Sequence, residues 1–212
     1  LLKVKNQIEV FPKKTKKKNI HIEALKNFRP DVAIVVVPDH LHYKITMDML
    51  KHNVHCLVVK PMASNFEEAI KMQDFSTKRR LIGQVEFHKR FDEANIILKE
   101  KIKNNELGKL QYSVVEYSQK KLIPSKAFKK WSFKSNIFQY LGTHYVDLIY
   151  FLTGYKPISV TAWGQKDYLI EKKINTWDSI QVVIEWKRHD KKIFVSNIIT
   201  NWIDPNETSA MS

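Results

Sequence analysis

Residues 31–59 have the sequence DVAIVVVPDHLHYKITMDMLKHNVHCLVV, and this stretch decides the fold class. Its first part, residues 31–37, is a nearly continuous run of β-branched side chains that Pro38 ends. Such a run is typical of a strand that is buried on both faces of a parallel sheet. Residues 55–59 form a second short apolar run, so the stretch predicts two parallel strands joined by a helix.

The connecting helix is predicted by apolar residues at helical spacing. Leu41, Ile45 and Met49 recur every four residues, and Asn53 suits the left-handed conformation that ends many helices. Strand, helix and strand together form the βαβ unit of a doubly wound sheet. Ligands of such sheets bind beyond the carboxyl ends of the strands.

The alternation of helices and strands continues downstream. The pattern SNFE at residues 64–67 resembles a capping box and predicts a helix with Phe66 and Ile70 facing the core. The run LIGQVEF at residues 81–87 predicts a third strand. We therefore predict an α/β fold that begins with a partial doubly wound parallel (Rossmann) domain at residues 1–87.

The pattern changes in the second half of the chain. Residues 180–186 alternate apolar and polar side chains, which is typical of an antiparallel strand with one buried face. The polar stretch 187–192 predicts a hairpin into a strand at residues 193–199, and a helix is predicted at residues 138–153. We therefore predict a second, α+β domain with a mostly antiparallel sheet at residues 88–212.

The chain is strongly basic but lacks the motifs of a nucleic-acid-binding protein. It has 36 Lys and Arg against 22 Asp and Glu, a formal net charge of +14. Five lysines occupy residues 13–18, so an electrostatic binder of nucleic acid is one alternative. We expect a solvated basic surface instead, and no nucleic-acid partner. We also expect no membrane partner, since no apolar run approaches the roughly 20 residues of a spanning helix.

Histidines close to the single cysteine suggest a metal site, which the helix length argues against. His40 and His42 lie at the start of the predicted helix, and His52 lies about 15 Å away at its other end, at 1.5 Å per residue. One tetrahedral site cannot collect them, so we expect no metal. The lone Cys56 forms no intramolecular disulfide, and this favours a cytoplasmic location.

Two places carry candidate chemistry. Lys60 directly follows a predicted strand, so it lies where a doubly wound sheet binds its ligand; the alternative is a lysine that extends into solvent from a loop. Tyr140, His144 and Asp147 share one face of the second-domain helix, which suits an imidazole acid/base. The alternative is a structural histidine. Gly142 leaves room for a ligand to approach this helix.

The five glycines never form a G-x-G-x-x-G motif, so the sequence shows no phosphate-binding loop. The chain begins with Leu1, and we interpret it as a fragment. Spacing alone therefore supports a two-domain α/β protein with a possible lysine and histidine site.

The motifs together resemble the glucose-fructose oxidoreductase, inositol dehydrogenase and MocA family of oxidoreductases. DVAIVVVPDHLHYKITMDMLKHNVHCLVVKPMA is similar to the family segment D-x-V-x-I-x-x-P-x-x-x-H, a helix, then H-V-x-x-E-K-P-x-A. VEFHKRFD resembles the family's entry to the substrate domain, and GTHYVDLIYFLTG resembles its G-x-H-x-x-D helix. The resemblance covers about residues 21–165, in order and at similar spacing.

This resemblance implies a dehydrogenase or reductase that uses NAD or NADP. It would transfer a hydride between the nicotinamide and a sugar, polyol or nucleotide-sugar carbon. Lys60 would hold the substrate hydroxyl and His144 would take its proton, with Tyr140 nearby. The resemblance places Pro38, His42, Val59, Lys60 and Pro61 at the cofactor. It suggests substrate contacts from His88, Arg90, Trp131, Asp147 and Trp202.

Two positions depart from the family pattern. Val59 stands where the family has glutamate before its lysine, and Tyr140 stands where several members have aspartate. The alternative function is therefore a non-catalytic relative that binds a nucleotide or sugar. The resemblance also implies a homo-oligomer, a dimer or tetramer, formed through the substrate-domain sheet. It places the G-x-G-x-x-G loop upstream of this chain, so we expect the chain alone to bind neither cofactor well.

Overall fold

The computed structural model describes residues 20–207, which divide into two units. The first unit comprises the described residues up to Val37 together with Leu41–Val85. The second comprises Pro38–His40 and the chain from Glu86 onwards. The lysine run at residues 13–18 lies outside the described residues. No helix within residues 20–207 has the length and apolar character needed to cross a bilayer.

The first unit alternates helices and strands, as predicted. Its elements are α1 Ile20–Phe28, β1 Val32–Val35, α2 His42–Lys51, β2 His55–Val59, α3 Phe66–Lys78 and β3 Gly83–Glu86. The strands form one sheet in the order β1-β2-β3, and β1 and β2 run parallel. Asn53 has a φ of 61° just after α2, which confirms the predicted left-handed stop.

The core of the first unit packs α2 and α3 against the middle strand. Leu50 of α2, Met72 of α3 and Val58 of β2 are buried in one hydrophobic cluster. Cys56 belongs to the same cluster, and burial raises the pKa of its thiol to about 12. Cys56 therefore stays protonated at neutral pH and fills space as a small apolar residue.

Two details of the first unit differ from the prediction. Ile34 is 67% exposed, so β1 is not buried on both faces, because no described element covers one of them. Asn65, and not Ser64, caps α3 by accepting a hydrogen bond from the backbone N–H of Glu68. With this start, Phe66 is 74% exposed and does not face the core.

The second unit is a helix-covered sheet. Its elements are α4 Glu93–Lys103, β4 Tyr112–Lys120, α5 Thr143–Thr153, β5 Lys156–Gln165, α6 Tyr168–Glu171, β6 Ser179–Lys187 and β7 Ile193–Asp204. The strand order is β4-β7-β6-β5. The pairs β5/β6 and β6/β7 are antiparallel and β4/β7 is parallel, which confirms a mostly antiparallel sheet.

Alternate side chains of a strand point to opposite faces of the sheet. One of these two faces is buried. Val182, Ile184 and Ile198 lie in a core cluster with Ile149 of α5. Trp186 is buried in the same cluster, and its indole N–H donates to Ser196 Oγ at 2.8 Å. The predicted alternation in β6 is therefore confirmed.

The predicted helix at 138–153 is divided. Residues Phe138–Gly142 form a wide π-type turn, α5 follows, and Gly154 ends it with a φ of 66°. A Cβ on Gly142 would lie 2.4 Å from the ring of Phe138. Gly142 therefore makes room for Phe138, and the prediction that it admits a ligand is wrong.

The short helix α6 is anchored by one buried carboxylate. Asp178 accepts hydrogen bonds from the backbone N–H groups of Asp167, Tyr168 and Leu169 at 2.7, 2.7 and 2.9 Å. These are the unpaired donors at the start of a helix. A buried carboxylate is the strongest available acceptor for them.

We expect Asp178→Ala to lower the free energy of unfolding by about 3 kcal/mol, because three backbone N–H donors at the start of α6 lose a buried, charged acceptor. Chemical denaturation monitored by circular dichroism measures this loss. Asp167→Ala is the matched control, since Asp167 is exposed and its side chain makes no cap hydrogen bond. Equal losses in the two variants would contradict the anchoring role.

Candidate active site

In the first unit, Lys60 lies at the carboxyl edge of the sheet. It directly follows β2, is half-buried, and precedes Pro61 through a cis peptide bond. Because β1 and β2 are parallel, both end at this edge. Doubly wound sheets bind dinucleotides at this edge. Lys60 therefore has the location that the sequence predicts for it.

His42 bridges the two chain segments that leave this edge. Its Nδ1 lies 2.5 Å from the carbonyl oxygen of Pro61, and its Nε2 lies 2.8 Å from the carbonyl oxygen of Val37. The side chain is 0% exposed. Both ring nitrogens thus face main-chain oxygens, and no ring surface is left for a ligand. The described role of His42 is this main-chain bridge, and its expected contact with a cofactor stays a prediction.

In the second unit, His144 is buried against another histidine. It is the second residue of α5 and is 5% exposed. The ring of His88 packs edge-on against it, with centroids 4.5 Å apart. The side chain of His88 is 55% exposed, and its Nδ1 lies 3.1 Å from the Glu86 carboxylate. A carboxylate, an exposed imidazole and a buried imidazole therefore form a row.

Two of the three side chains in this row are imidazoles, which are common proton-transfer groups. An imidazole both donates and accepts protons near neutral pH, so His144 has the chemistry of a general acid/base. His88, which the family resemblance suggested as a substrate contact, packs its exposed ring against the buried ring of His144. Within residues 20–207, no group of three His, Cys, Asp or Glu side chains is placed to hold a metal ion.

Asp147 and Arg90 pair with each other. The Arg90 Nε and Nη2 atoms donate to the two Asp147 carboxylate oxygens at 2.7 and 2.5 Å. The hydrogen bond to Asp147 is the largest cause of a raised pKa for Arg90. Both residues were expected to bind substrate, but in the structure the charge of each is paired with the charge of the other. The pair connects the segment that carries His88 to α5, which carries His144.

Tyr140 is held by a side-chain network. Its phenol hydrogen-bonds with the side chain of Gln119, whose Oε1 accepts the indole N–H of Trp202 at 3.1 Å. Burial raises the pKa of Tyr140, and the nearby Asp39 and Tyr117 raise it further. The bond from Gln119 opposes this rise only in part. Tyr140 is therefore a neutral hydrogen-bond donor at neutral pH.

The two tryptophans have different environments. Trp202 is 0% exposed and packs in a core cluster, and its expected substrate contact stays a prediction. Trp131 is half-buried and stacks on Phe128, with centroids 4.2 Å apart. Phe128 in turn contacts the Tyr140 ring at 5.1 Å. Trp131 thus keeps a partly open aromatic surface beside Tyr140.

Sequence reasoning missed two polar residues here. Gln119 lies two positions after Tyr117 on β4, so both side chains share a face, and this spacing could have identified it. The buried Asp39 accepts a hydrogen bond from Ser135 Oγ. These residues are 96 positions apart, so no local pattern joins them.

Two family models match consecutive parts of the chain. Residues 3–87 match the model described as oxidoreductase family, NAD-binding Rossmann fold. Residues 96–202 match the GFO/IDH/MocA C-terminal domain. Curated relatives include sugar-phosphate, nucleotide-sugar and inositol dehydrogenases.

The glucose-6-phosphate 3-dehydrogenase of Bacillus subtilis (strain 168) is 27% identical over 179 residues, which cover 79% of this chain and 49% of that protein. Myo-inositol 2-dehydrogenase from Lactobacillus plantarum has a TM-score of 0.73 at 18% identity, over 85% of this chain and 54% of that one. Scyllo-inositol dehydrogenase from Lactobacillus casei with bound NAD(H) and scyllo-inositol has a TM-score of 0.69 at 17% identity, over 87% and 54%. The two structures show the shared fold. The chain spans about half the length of these three proteins.

We expect Asp147→Ala to lower the free energy of unfolding by about 2 kcal/mol, because a partly buried guanidinium loses both its acceptors. Thermal and chemical denaturation measure the change. Glu106→Ala is the control, since Glu106 pairs with Lys101 on the surface at 2.9 Å, and we expect less than about 1 kcal/mol for it. A smaller effect for Asp147→Ala than for Glu106→Ala would contradict this account.

Proposed function

The chain belongs to the GFO/IDH/MocA family of oxidoreductases, and from this premise we propose that the whole protein is an NAD(P)-dependent dehydrogenase or reductase. It transfers a hydride between the nicotinamide of NAD or NADP and a hydroxyl or carbonyl carbon of a sugar, polyol or nucleotide sugar. The match of both family models, in order along the chain, carries this proposal.

The described residues fit the nicotinamide end of such a cofactor. Lys60 is half-buried at the carboxyl edge of two parallel strands, with the apolar Val59 and Pro61 on either side. The 212 residues contain no G-x-G-x-x-G motif for the pyrophosphate. The nicotinamide, when bound, accepts or supplies the hydride. The protein positions the substrate, excludes water and moves one proton.

We assign the proton to His144. Lys60 donates a hydrogen bond to the substrate oxygen, and His144 accepts the proton of that hydroxyl during oxidation. The edge-on contact with the exposed imidazole of His88, which lies beside Glu86, supports this role. Tyr140 donates a hydrogen bond from its neutral phenol, and Trp131 offers an apolar surface to a sugar ring.

A non-catalytic relative is the second candidate function. It is favoured by Val59, which lacks the carboxylate that the family has beside its lysine, and by Tyr140. Such a protein would bind the cofactor or a sugar without turnover. The same assays separate the two candidates.

We expect Lys60→Met and His144→Ala, made in the full-length protein, each to lower turnover by about a hundredfold or more, because each removes a group at the reacting oxygen. The assay follows nicotinamide absorbance with a panel of sugars, inositols and nucleotide sugars. Lys44→Met and His52→Ala are controls, since both residues are exposed in the first unit. Near-normal turnover in both test variants would exclude the assignment. Tight NADH binding without turnover of any panel member would favour the non-catalytic relative.

We further propose a homo-oligomer, a dimer or tetramer, formed through the open face of the second-unit sheet. By register, Tyr112, Val114, Val183 and Trp163 share the face opposite α5. Tyr112, Val114 and Trp163 are exposed. An exposed apolar sheet face of this kind is typical of protein interfaces.

A cytoplasmic location is also proposed, and the single buried Cys56 thiol supports it.

We expect Val114→Lys to shift the protein toward monomer, because the change puts a charge into the proposed interface. Sedimentation velocity at several protein concentrations measures the shift. Val160→Lys is a matched control, since Val160 is 67% exposed but pairs with Ile184, whose side chain lies on the other face of the sheet. A monomeric parent protein, or equal shifts in both variants, would contradict the proposal.

A further inference from the structure

Gln119 connects the tyrosine of the candidate site to the core of the second unit. Its Oε1 accepts the indole N–H of Trp202 at 3.1 Å, and its side chain also hydrogen-bonds with the phenol of Tyr140. Trp202 is 0% exposed, and its ring centroid lies 6.2 Å from that of Tyr140. The three side chains therefore form one network that begins in the core and ends at the site.

The donors and acceptors of this network fix its direction. An indole N–H only donates, so the carbonyl end of the Gln119 amide faces Trp202. The opposite end of the amide is an NH2 group, which also only donates, and it is left to face Tyr140. The phenol oxygen therefore accepts from Gln119. In agreement, this contact lowers the pKa of Tyr140, whereas a contact with the amide oxygen would raise it.

The backbone of β4 supports this arrangement. Gln119 lies between Ser118 and Lys120, where the register of β4 against β7 shifts. Trp202 lies on β7 opposite this shift. Irregularities of this kind turn a side chain in a new direction and are common beside active sites. The hydrogen bond between Gln119 and Trp202 is therefore part of a local departure from regular strand pairing.

We propose that Gln119 is a positioning residue that directs the phenol proton of Tyr140 toward the substrate. A phenol O–H rotates about its C–O bond, so its direction is set by the hydrogen bonds around it. Because Gln119 donates to the phenol oxygen, Tyr140 gives its own proton to another acceptor. This inference rests on the proposed function, in which that acceptor is a substrate oxygen.

One substitution of nearly equal shape reverses this direction. The ionised carboxylate of Gln119→Glu only accepts hydrogen bonds, so it keeps the bond from Trp202 but draws the phenol proton of Tyr140 to itself. The substrate then loses one donor. Because a positioned donor at a reacting oxygen contributes about a hundredfold or more to the rate, we expect Gln119→Glu to lower kcat by about ten- to a hundredfold at mildly alkaline pH.

Protonation of the introduced carboxyl group should restore the original direction. A neutral carboxyl group has a carbonyl oxygen for Trp202 and an O–H donor for Tyr140, which is the pattern of the amide. The half-burial of position 119 and the Asp39 carboxylate near Tyr140 both raise the pKa of this carboxyl group. The phenols of Tyr117 and Tyr140 stay neutral, since burial raises the pKa of both. We therefore expect the turnover of Gln119→Glu, divided by that of the parent protein at each pH, to rise as the pH falls.

The first test needs no substrate and therefore separates this inference from the proposed function. In proton–nitrogen correlation NMR of the ¹⁵N-labelled full-length protein, the Gln119 side-chain amide is assigned by its loss in Gln119→Glu. Tyr140→Phe keeps the ring but removes the phenol oxygen. We expect it to shift the Gln119 amide protons upfield, as the loss of a hydrogen-bond acceptor does, while the Trp202 indole N–H resonance keeps its position.

Tyr117→Phe is the matched control, because Tyr117 lies on the same face of β4 and also has a buried phenol. We expect it to leave the Gln119 amide protons near their parent positions. Gln119 amide protons that do not move in Tyr140→Phe, or that move equally in both variants, would overturn the proposed direction of the hydrogen bond.

The second test asks whether Gln119 acts through Tyr140. Turnover is compared among the parent protein, Gln119→Glu, Gln119→Leu, Tyr140→Phe and the double variant Gln119→Glu/Tyr140→Phe. If Gln119 positions Tyr140, the double variant has the same turnover as Tyr140→Phe alone, and only Gln119→Glu regains turnover at lower pH. Losses that multiply, or a turnover ratio of Gln119→Glu that does not change with pH, would overturn the positioning role.

The outcomes also distinguish this inference from the proposed function. Normal turnover of Tyr140→Phe would remove Tyr140 from the reaction and overturn the positioning role, while loss of turnover in Lys60→Met and His144→Ala would still support the dehydrogenase. Normal turnover of those two variants would refute the catalytic assignment, and the NMR result would still decide whether Gln119 donates to Tyr140.

Discussion

The first unit depends on the satisfaction of main-chain carbonyl groups where its parallel strands end. A parallel strand leaves the sheet with oxygens that have no further partner, and the chain cannot bury them without donors. The two ring nitrogens of His42 contact one carbonyl oxygen in each of the segments after β1 and β2, so this side chain joins the two segments. The contacts connect two segments at the sheet edge where we propose that the cofactor binds. His42, which contacts these carbonyl oxygens, is fully buried, whereas the nearby Lys60 is half-buried.

In the second unit, a salt bridge joins the two segments that carry the candidate site residues. Its catalytic candidate His144 lies on α5, whereas His88 lies in the segment before α4. The bidentate contact of Arg90 with Asp147 fixes these two pieces against each other. A planar guanidinium and a carboxylate meet in one orientation, which sets the angle as well as the distance. The salt bridge therefore joins the same two segments whose imidazole rings are in contact.

Local patterns predicted the secondary structure well, because periodicity and turn residues act over a few positions. The bounds of β2, the stop at Asn53 and the hairpin between β6 and β7 agree with the sequence interpretation. The side-chain pairings were not predictable in this way. Arg90 and Asp147 are 57 positions apart, and Trp202 and Gln119 are 83 apart. Helical spacing identified Asp147 and the family resemblance suggested Trp202, but only the fold decides whether such a residue faces a ligand, the core or a partner.

The charge state of the second-unit site follows from its tyrosines. Burial raises the pKa of Tyr117 and Tyr140, and raises that of Tyr145 to about 12. A raised phenol pKa means that the proton stays on through neutral and mildly alkaline pH, so none of the three rings becomes an anion there. A phenol in place of a carboxylate at position 140 thus removes a negative charge and a proton acceptor. Under the proposed function, proton uptake is then left to the row of Glu86, His88 and His144, and imidazole is the side chain whose charge ordinarily changes near neutral pH.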